Sequence, residues 1–566
     1  MKRFFLWSLT LFSFVFGAGV CSGAAGGGIR LDKAAFMIDS GDKMKIRLAE
    51  APAGGVQWTS SDEKVATVSR SGVVTGVSKG DAVIAASAAG SKAECIVSVG
   101  YEGQNPILPP TWGLFIADGE PHVFDGRMYI FGSRDVTNGF LPNGERDFCS
   151  TDYHVIYSDD LIHWTDAGVS ISIDSIPAEI RGNTRRLWAP DVFKSPTEKD
   201  KYYLLFCGNG QPVYIAEGTS PTGPFGNVRL VTLNGEPIPQ IDPGVLVDDD
   251  GKVYLASPKF FICRLDPSDY SRVMPETCRD VTQYMPVGDE PFEGPSLRKR
   301  NGIYYYIYIQ NKGNIERDGA VPTLMGYMTA ENPLGPYTYR GVIVTNYDYP
   351  ASGNIHGSIE PFDGQWYVSY HMPVSELGLT RAACLDRIEF DDDGTIRRPL
   401  FRGGGRPGGA EPTSSGVKGC FVPGERIRSS SGVVYSGGRN DRRLVTRREP
   451  TANPYVFRYV GYPYTFYNEP GQWIGYRFMD FSPEISTVGM SVCTEAAGGS
   501  LEIRRGSADG ELIAAVDLPN TDGEWKKVEA PASVTRDGKD AFYIFLKTKP
   551  GSGDVRVDWL EFGARR

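Results

Sequence analysis

Four acidic residues and one histidine in the middle of this chain stand at an almost constant distance before a tyrosine. The pairs are Asp118–Tyr129, Asp191–Tyr202, Asp242–Tyr254, Glu293–Tyr304 and His356–Tyr367. The separation is eleven residues in four pairs and twelve in the pair that contains Asp242. Carboxylates gathered at one site can work as general acid and general base. The question is whether the fold gathers them.

The turns before these tyrosines predict one β-hairpin for each pair. DGRMY, DGKVY, NGIYY and DGQWY carry Asp-Gly or Asn-Gly turns, and KDKYY carries an Asp turn. The tyrosines lie between 50 and 73 residues apart, close to the period of a four-stranded propeller blade. Radial repetition would bring the polar residues to one mouth of a central axis. Chance agreement among the hairpins of a β-sandwich is the alternative, and five matches in register argue against it.

The composition favours strands and excludes one class of partner. The 566 residues are 41% hydrophobic and 12% aromatic, with 68 Gly, 39 Pro, 29 Tyr and 28 Phe. Few stretches have a helical period, so we predict an all-β protein of several domains. The net charge is −10 and no long basic run is present, so a nucleic acid would be repelled.

The first residues predict export. Two basic residues precede an apolar run from Phe4 to Val20, which we interpret as a signal peptide over residues 1–23. The mature protein is then expected in the periplasm, at the cell surface or outside the cell. A lipid anchor at Cys21 is the less favoured alternative, because Val20 stands where lipoprotein processing sites usually have a small residue. No later segment is apolar enough to cross a membrane.

Composition shifts divide the rest of the chain. Residues 24–100 contain VQWTSSDEKVATVSRSGVVTGVSKGDAVIAA, which resembles bacterial Ig-like domains of group 2 and implies a β-sandwich. The five hairpins occupy residues 101–401, and a Gly/Pro/Ser-rich linker covers 402–416. Residues 417–566 again alternate as strands. We therefore predict a five-bladed β-propeller flanked by two β-sandwich domains.

Motifs of the central segment resemble glycoside hydrolase family 43. They are FIADGEPHVFDGRMYIFGSRD, LWAPDVF, QIDPGVLVDDDGKVYLA, FEGPSLRKRNGIYYYIY and GNIHGSIEPFDGQWYVSYH, in this order. The resemblance implies a five-bladed propeller with an axial active site. It also implies inverting hydrolysis of β-xylosides, α-L-arabinofuranosides, arabinan or some galactans. The expected partners are plant cell-wall glycans containing arabinose, xylose or galactose, and no organic cofactor is implied.

Three carboxylates match the catalytic residues of that family. Asp118 in IADG matches the general base, Glu293 in FEGPS the general acid, and Asp242 in QIDPG the carboxylate that tunes and orients the acid. Inversion requires the base and acid carboxyls to be about 6.5–9.5 Å apart. A carboxylate near Glu293 would keep it protonated at working pH.

The sequence departs from the family after the presumed base. Gly119, Glu120 and Pro121 follow Asp118, where the family usually has Pro directly after the Asp. Because side chains alternate along a strand, we expect Glu120 to point away from the axis.

Five further residues are candidates, each with a plainer alternative. His356 in GNIHGS matches an axial histidine near a bound cation, commonly calcium, and would otherwise be a core histidine. Arg381 either reaches the sugar or the third carboxylate, or is a surface arginine. Trp188 and Trp112 are possible sugar platforms or core residues. Asp191 in WAPDV is a candidate for substrate contact, although a structural role is favoured.

The C-terminal segment resembles a family 6 carbohydrate-binding module through GQWIGYRF, TDGEW and VDWLEF. Tyr464, Trp473 and Trp525 are the candidate sugar platforms, with core packing as the alternative. Arg556 stands where the family usually has a sugar-binding asparagine, so the fold is the firmer expectation.

The chain is therefore predicted to be an exported inverting glycosidase of the α-L-arabinofuranosidase or β-xylosidase type. An arabinanase or a galactan- or galactofuranoside-cleaving member of the same family is the first alternative. A retaining fructan hydrolase is disfavoured by the EGP motif that follows an IDP motif. A non-catalytic glycan-binding or adhesion protein would leave Asp118, Asp242 and Glu293 unexplained.

Overall fold

The computed structural model describes residues 29–564 except for a set of internal gaps. The gaps are 50–54, 89, 137–147, 149–150, 210–211, 240, 258–260, 287–289, 312–322, 346–354, 375–378, 398–415, 432, 436–443, 451–456, 508 and 552. The predicted signal peptide, Cys21 and nearly all of the predicted linker lie outside the described residues. No helix within the described part is long and apolar enough to span a membrane.

The N-terminal module is a small β-sandwich. One of its sheets has the order β2-β5-β4, and the other contains β3, β6, β7 and β1. Its strands are β1 (Ala35–Ile38), β2 (Lys43–Lys45), β3 (Gln57–Ser60), β4 (Ala66–Val68), β5 (Val73–Gly76), β6 (Gly80–Ala88) and β7 (Ser91–Val99). Buried Ile, Val and Ala side chains from both sheets form its core.

The central module has five antiparallel blades, each made of strands consecutive in the chain. Blade 1 is β8 (Phe115–Phe124), β9 (Arg127–Asp135), β10 (Asp152–Ser158) and β11 (Trp164–Ser172). Blade 2 is β12 (Leu187–Lys194), β13 (Tyr202–Gly208), β14 (Val213–Gly218) and β15 (Gly226–Leu230). Blade 3 follows the short strands β16 (Thr232–Leu233) and β17 (Glu236–Pro237) and is β18 (Gly244–Val247), β19 (Val253–Ala256), β20 (Phe261–Asp266) and β21 (Asp269–Asp280).

Blade 4 is β22 (Glu290–Arg300), β23 (Ile303–Asn311), β24 (Thr323–Ala330) and β25 (Thr338–Thr345). Blade 5 is β26 (Ser358–Phe362), β27 (Gln365–Pro373), β28 (Arg381–Phe390) and β29 (Ile396–Arg397). Helical turns are short: α1 (Ala178–Arg181) and single 3-10 turns at Pro110–Trp112, Ile173–Ser175, Thr282–Tyr284, Gly416–Lys418 and Ser429–Ser431. The predicted all-β propeller is confirmed.

Turn chemistry explains why each blade begins with a tight hairpin. Asp125–Gly126, Asn301–Gly302 and Asp363–Gly364 connect the first two strands of blades 1, 4 and 5, and both residues of each pair have positive φ. Such turns match the twist of paired strands. The five tyrosines used for the prediction all lie on the second strand of their blades. The first strands contact one another around the axis, and apolar clusters fill the space between neighbouring blades.

The C-terminal module is a second sandwich of two antiparallel sheets, with β31-β34-β39-β36-β37 facing β32-β33-β40-β35-β38, and β30 paired to β40. Its strands are β30 (Arg426–Arg428), β31 (Val433–Tyr435), β32 (Leu444–Pro450), β33 (Phe457–Tyr467), β34 (Trp473–Phe481), β35 (Ile485–Thr494), β36 (Gly499–Arg505), β37 (Glu511–Leu518), β38 (Lys526–Pro531), β39 (Gly538–Thr548) and β40 (Val555–Ala564). A single apolar cluster lies between the sheets.

The two flanking modules are joined to the propeller in different ways. Strand β1 pairs with β11, so one sheet of the N-terminal sandwich continues into blade 1. The C-terminal module contacts the segment between the other two modules. There the Arg428 backbone N–H donates to the side-chain oxygen of Gln104, and the Gln104 amide donates to the Arg426 carbonyl.

Candidate active site

Irregularities in the backbone near the start of the first strand of a blade orient the side chains of the site. The pairing of β8 with β9 shifts register between Ala117 and Glu120, which leaves Asp118 in a bulge with φ 53°. A similar shift separates Trp188 from Asp191 on β12. Bulges and positive φ re-aim side chains and concentrate at functional sites.

Asp118 is held by a two-pronged contact with Arg381. Arg381 Nη1 donates to Asp118 Oδ1 at 2.8 Å and Nη2 donates to Oδ2 at 3.2 Å. The same guanidinium binds Asp135 through Nε and Nη2. The Asp118 backbone N–H donates to His371 Nδ1 at 3.0 Å. Blade 5 therefore fixes both the main chain and the carboxylate of a blade 1 residue.

These contacts decide the charge of Asp118. Burial alone raises its pKa, but the charge of Arg381 above all outweighs burial, and the pKa is lowered to about 2. Asp118 is therefore ionised at any ordinary working pH. It is only 5% exposed.

Asp242 lies two residues before the first strand of blade 3 and has φ 49°. Its backbone N–H donates to Cys207 Sγ at 3.3 Å, and its Oδ2 accepts the Gly294 N–H at 3.2 Å. Burial and then the negative charge of Asp118 raise the pKa of Asp242 to about 7. Two buried aspartates of one site thus have opposite shifts, the pattern expected when environment divides acid and base roles.

Glu293 lies on β22 with a register shift on each side and is partly buried. The next residue, Gly294, explains part of the EGP motif. Its φ is 62°, and a Cβ there would lie 2.9 Å from both the His356 ring and Ile309. A larger residue would therefore displace His356 or the strand that carries Glu293.

Three carboxylates of the site raise the pKa of the buried Cys207 thiol. Burial raises its pKa first, and the charges of Asp242, Asp118 and Glu293 raise it further. Residues from blades 1, 3 and 4 thus act on one atom of blade 2. The Asp118–Glu293 separation expected for inversion stays a prediction.

The other candidate residues divide into two groups. Arg381 is 2% exposed, so it is not a surface arginine. Trp188 is half-buried, and its indole N–H is buried without a hydrogen-bond partner among the described residues. Trp112 is buried, with its indole N–H donated to Ser98 of the N-terminal module. Core packing therefore replaces the sugar-platform interpretation for Trp112.

Asp191 has a structural position, which favours the structural role over substrate contact. It is 0% exposed. Its Oδ2 accepts the Val245 N–H of blade 3 at 2.7 Å, and its Oδ1 accepts the Val192 N–H and lies 2.5 Å from His122 Nε2. Asp191 ties the first strands of two blades together instead.

Glu120 also departs from expectation, because its side chain turns toward the axis. Its Oε2 accepts hydrogen bonds from Arg298 and Ser296 of blade 4 at 2.7 and 2.9 Å. Its Oε1 lies 3.9 Å from His356 Nε2. Simple alternation puts residues two apart, such as Asp118 and Glu120, on the same face of a strand, so the expectation did not follow from it.

A calcium site was expected near His356, and the donors present do not fit it. Calcium takes about six to eight oxygen ligands. The group of potential ligands within the described residues is Glu120, His122 and Asp191. Both Asp191 oxygens accept backbone N–H groups, and Glu120 Oε2 is bound by Arg298. His356 Nδ1 faces Asp118 and Asp242 at 3.7 and 4.0 Å, yet Asp118 is already paired with Arg381.

Sequence reasoning missed three residues of this site: His371, Asp135 and Arg298. His371 and Arg298 act on blade 1 carboxylates from distant parts of the chain, and Asp135 acts through Arg381. All three lie within the motifs quoted above, but no motif identifies their partners. Cys263 and Cys278 form a disulfide between the adjacent strands β20 and β21.

The C-terminal module keeps two of its three candidate aromatics accessible. Tyr464 and Trp525 are half-buried and pack edge to face with ring centroids 5.3 Å apart. Trp473 is 4% exposed and packs against Ala541 and Tyr543, which favours core packing.

Three family models match the chain in the order predicted from the motifs. Residues 121–396 match glycosyl hydrolases family 43. Residues 459–564 match the carbohydrate binding module of family 6, and residues 28–97 match the bacterial Ig-like domain of group 2.

Named relatives are similar over most of the chain. An arabinoxylan arabinofuranohydrolase of Paenibacillus polymyxa is 29% identical over 491 residues, 80% of this chain and 73% of that protein. One from Bacillus subtilis (strain 168) is 26% identical over 505 residues, 81% of this chain and 92% of that protein. The crystal structure of a family 43 arabinoxylan arabinofuranohydrolase from Bacillus subtilis in complex with cellotetraose has 24% identity and a TM-score of 0.44, covering 82% of this chain and 98% of that one.

Proposed function

The chain belongs to glycosyl hydrolases family 43, and from that premise we propose that it is an inverting α-L-arabinofuranosidase or β-xylosidase. The observation that carries the proposal is the charge of Asp118, which Arg381 keeps ionised with a pKa of about 2. A buried carboxylate that stays ionised suits a general base. Asp242, whose pKa is raised to about 7, lies beside it and is not the acid in this proposal.

In the proposed reaction, Asp118 accepts a proton from a water molecule as that water attacks the anomeric carbon. Glu293 donates its proton to the glycosidic oxygen as the bond to the leaving sugar breaks. One proton is taken up and one released, so the pair of carboxyl groups exchanges its protonation state and is reset through solvent. Direct attack by water inverts the anomeric configuration.

Asp242 is proposed to control the acid from the other side of Gly294. When Asp242 is ionised, its negative charge disfavours ionisation of Glu293 and keeps the acid protonated. Its hydrogen bond from the Gly294 N–H also fixes the main chain next to the acid. It is therefore a positioning residue in this mechanism.

Two aromatic side chains are proposed to bind sugar. Trp188, with its unpartnered indole N–H, lies on the inner strand of blade 2. Phe292 is 48% exposed and directly precedes Glu293. Since the acid must touch the glycosidic oxygen, a neighbour of Glu293 is placed for the leaving sugar, whose apolar face can stack on a ring.

The substrate class follows from the relatives and the accessory module. The two curated relatives named above are arabinoxylan arabinofuranohydrolases, so arabinose side chains on xylan are the proposed target. Tyr464 and Trp525 would hold the polymer on the C-terminal module.

Export through residues 1–23 remains part of the proposal, and the Ig-like and carbohydrate-binding modules support a location outside the cytoplasm. Mass spectrometry of the mature N-terminus tests it, since a diacylated Cys21 would establish a lipoprotein instead.

The deciding experiment follows hydrolysis of aryl α-L-arabinofuranoside, aryl β-xyloside and arabinoxylan by NMR. We expect turnover of at least one pentoside, with the first-formed product having the inverted configuration. Arabinan and a galactofuranoside serve as comparison substrates. A product that first appears with retained configuration contradicts the assignment of Asp118 and Glu293.

A further inference from the structure

A second buried ion pair crosses the axis deeper in the propeller than Asp118. Glu120 lies two residues farther along β8 toward the hairpin turn, and Arg298 lies five residues beyond Glu293 on β22. Arg298 Nη2 is 2.7 Å from Glu120 Oε2, and both side chains are 5% exposed or less. Blades 1 and 4 therefore meet through a charged contact that water does not reach.

The two Nη atoms of Arg298 donate to several acceptors, whereas its buried Nε has no hydrogen-bond partner among the described residues. Nη2 also donates to the Pro121 carbonyl at 3.0 Å, while Nη1 donates to Ser296 Oγ at 3.1 Å and the Leu297 carbonyl at 3.0 Å. Its Nε lies 3.2 Å from Glu360 Oε2 of blade 5. Burial lowers the pKa of Arg298, but the charges of Glu120, Asp191 and Glu360 raise it by more, and arginine keeps its charge in proteins.

The Arg298 guanidinium lies against the side chains that could bind a metal ion. The potential metal ligands are Glu120, His122 and Asp191, and Arg298 Nη2 lies 3.4 Å from His122 Nε2 as well as against Glu120. A divalent cation bound to this group would stand next to a fixed positive charge in a region of low dielectric, where repulsion is strong. Metal and guanidinium are therefore alternatives at this position.

We propose that Arg298 is the resident cation of the propeller axis, so that this enzyme neither requires nor retains a divalent metal ion there. The guanidinium balances Glu120 and Glu360 and joins blades 1, 4 and 5. It is a positioning residue, because it supports the strands that carry Asp118 and Glu293 without touching substrate. The inference goes beyond the proposed function and uses hydrolysis only as one readout, with thermal unfolding as the other.

The first test treats the purified full-length enzyme with EDTA, removes the chelator into metal-free buffer, and measures metal content, kcat/KM and the thermal midpoint. We expect less than about 0.1 metal ion per chain, a change in kcat/KM below about twofold, and no response to added Ca²⁺ or Mg²⁺. A loss of tenfold or more that Ca²⁺ restores would overturn the proposal, as would a metal ion retained in equal amount to the chain.

The second test is a charge cycle of Arg298→Met, Glu120→Gln and the double variant. Glu120→Gln in the wild-type background should lower the thermal midpoint, because it removes the partner of a buried cation. In the Arg298→Met background the same substitution should raise the midpoint and recover activity, because it neutralises an unpaired buried carboxylate. If Glu120→Gln changes the thermal midpoint in the same direction in both backgrounds, the proposed pairing of Glu120 with Arg298 is wrong. If Arg298→Met does not fold, Arg298→Lys replaces it, and the chelation result still decides.

Discussion

Two arginine-centred pairs lie along one strand of the propeller, and they differ in how the guanidinium meets the carboxylate. Asp118 receives two N–H groups from Arg381, whereas Glu120 receives a single one from Arg298. Each arginine also serves a second carboxylate, Asp135 in one case and Glu360 in the other. The balance of charges is thus similar in the two pairs.

The pKa shifts of the two carboxylates are nevertheless opposite. The pKa of Asp118 falls to about 2, while burial raises the pKa of Glu120 above its usual value despite Arg298. A two-pronged contact with a guanidinium, supported by two histidines, outweighs burial where a single contact does not. The comparison teaches that a buried carboxylate becomes a permanent base through the geometry of its donors, and that a nearby positive charge is not sufficient.

The largest effect should come from breaking the first pair on its acidic side. Asp118→Asn is expected to lower kcat on both a natural glycoside and an activated aryl glycoside by about 10²–10⁴-fold, because the base is needed whatever group leaves. Glu120→Gln on the same strand is the matched control and should cost far less activity. Equal losses in the two variants would contradict the division between the pairs. Steady-state kinetics with both substrates make the comparison.

Glu293→Ala should show a loss that depends on the leaving group. On a xylo- or arabino-oligosaccharide the alkoxide needs a proton, so we expect a loss of about 10²–10⁴-fold. On a dinitrophenyl glycoside the leaving group departs without help, and kcat should fall much less. A plot of log kcat against the leaving-group pKa should be steeper for the variant than for the wild type. Parallel plots would remove Glu293 from the acid role.

Arg381→Met should alter the pH profile as well as the rate. Without the guanidinium, burial is unopposed and the pKa of Asp118 rises from about 2. The carboxylate must be ionised to act, so the acid limb of kcat/KM should move to higher pH, with at least about a tenfold loss at pH 5. Arg381→Lys is the control and should shift the limb less. An unmoved acid limb in Arg381→Met would show that Arg381 does not set the charge of Asp118.

Asp242→Asn is expected to give the smallest of these effects, a displaced alkaline limb. In the wild type, Asp242 ionises at a pKa of about 7, and its charge then opposes ionisation of Glu293. Removing that charge lets Glu293 lose its proton at lower pH, so the alkaline limb of kcat should move down. The pH dependence of kcat measured on the same oligosaccharide shows the shift. A limb that moves up would mean that Asp242 does not act on Glu293 through its charge.

The sequence predicted the blades well because their determinants are local. Turns such as Asp125–Gly126 and Asn301–Gly302 depend on adjacent residues that tolerate positive φ. A tyrosine a few residues after the turn indicates the second strand of the hairpin. The same offset located Asp118, Asp242 and Glu293 at the head of the inner strands. A repeated architecture therefore allowed side chains to be placed without any knowledge of contacts.

Partners far apart in the chain could not be predicted in this way. Glu120 and Arg298 are 178 positions apart, and neither belongs to a pattern that names the other. The contacts of Glu120 are with residues of blade 4 that lie far along the chain. Trp112 and Trp188 look alike in sequence, yet one donates its indole N–H to Ser98 and the other has no partner in the described residues. Whether an aromatic side chain is exposed or buried therefore depends on how the modules pack against each other.

The pairing of β1 with β11 has a consequence for how the enzyme can be divided. Ala35 and Phe36 lie opposite Asp166 and Thr165 of the outermost strand of blade 1. The Ig-like module thereby covers a sheet edge whose N–H and C=O groups would otherwise be open to another chain. A catalytic fragment beginning after residue 100 would expose this edge and should self-associate more than the longer protein does. The Ig-like module would then protect the propeller against aggregation.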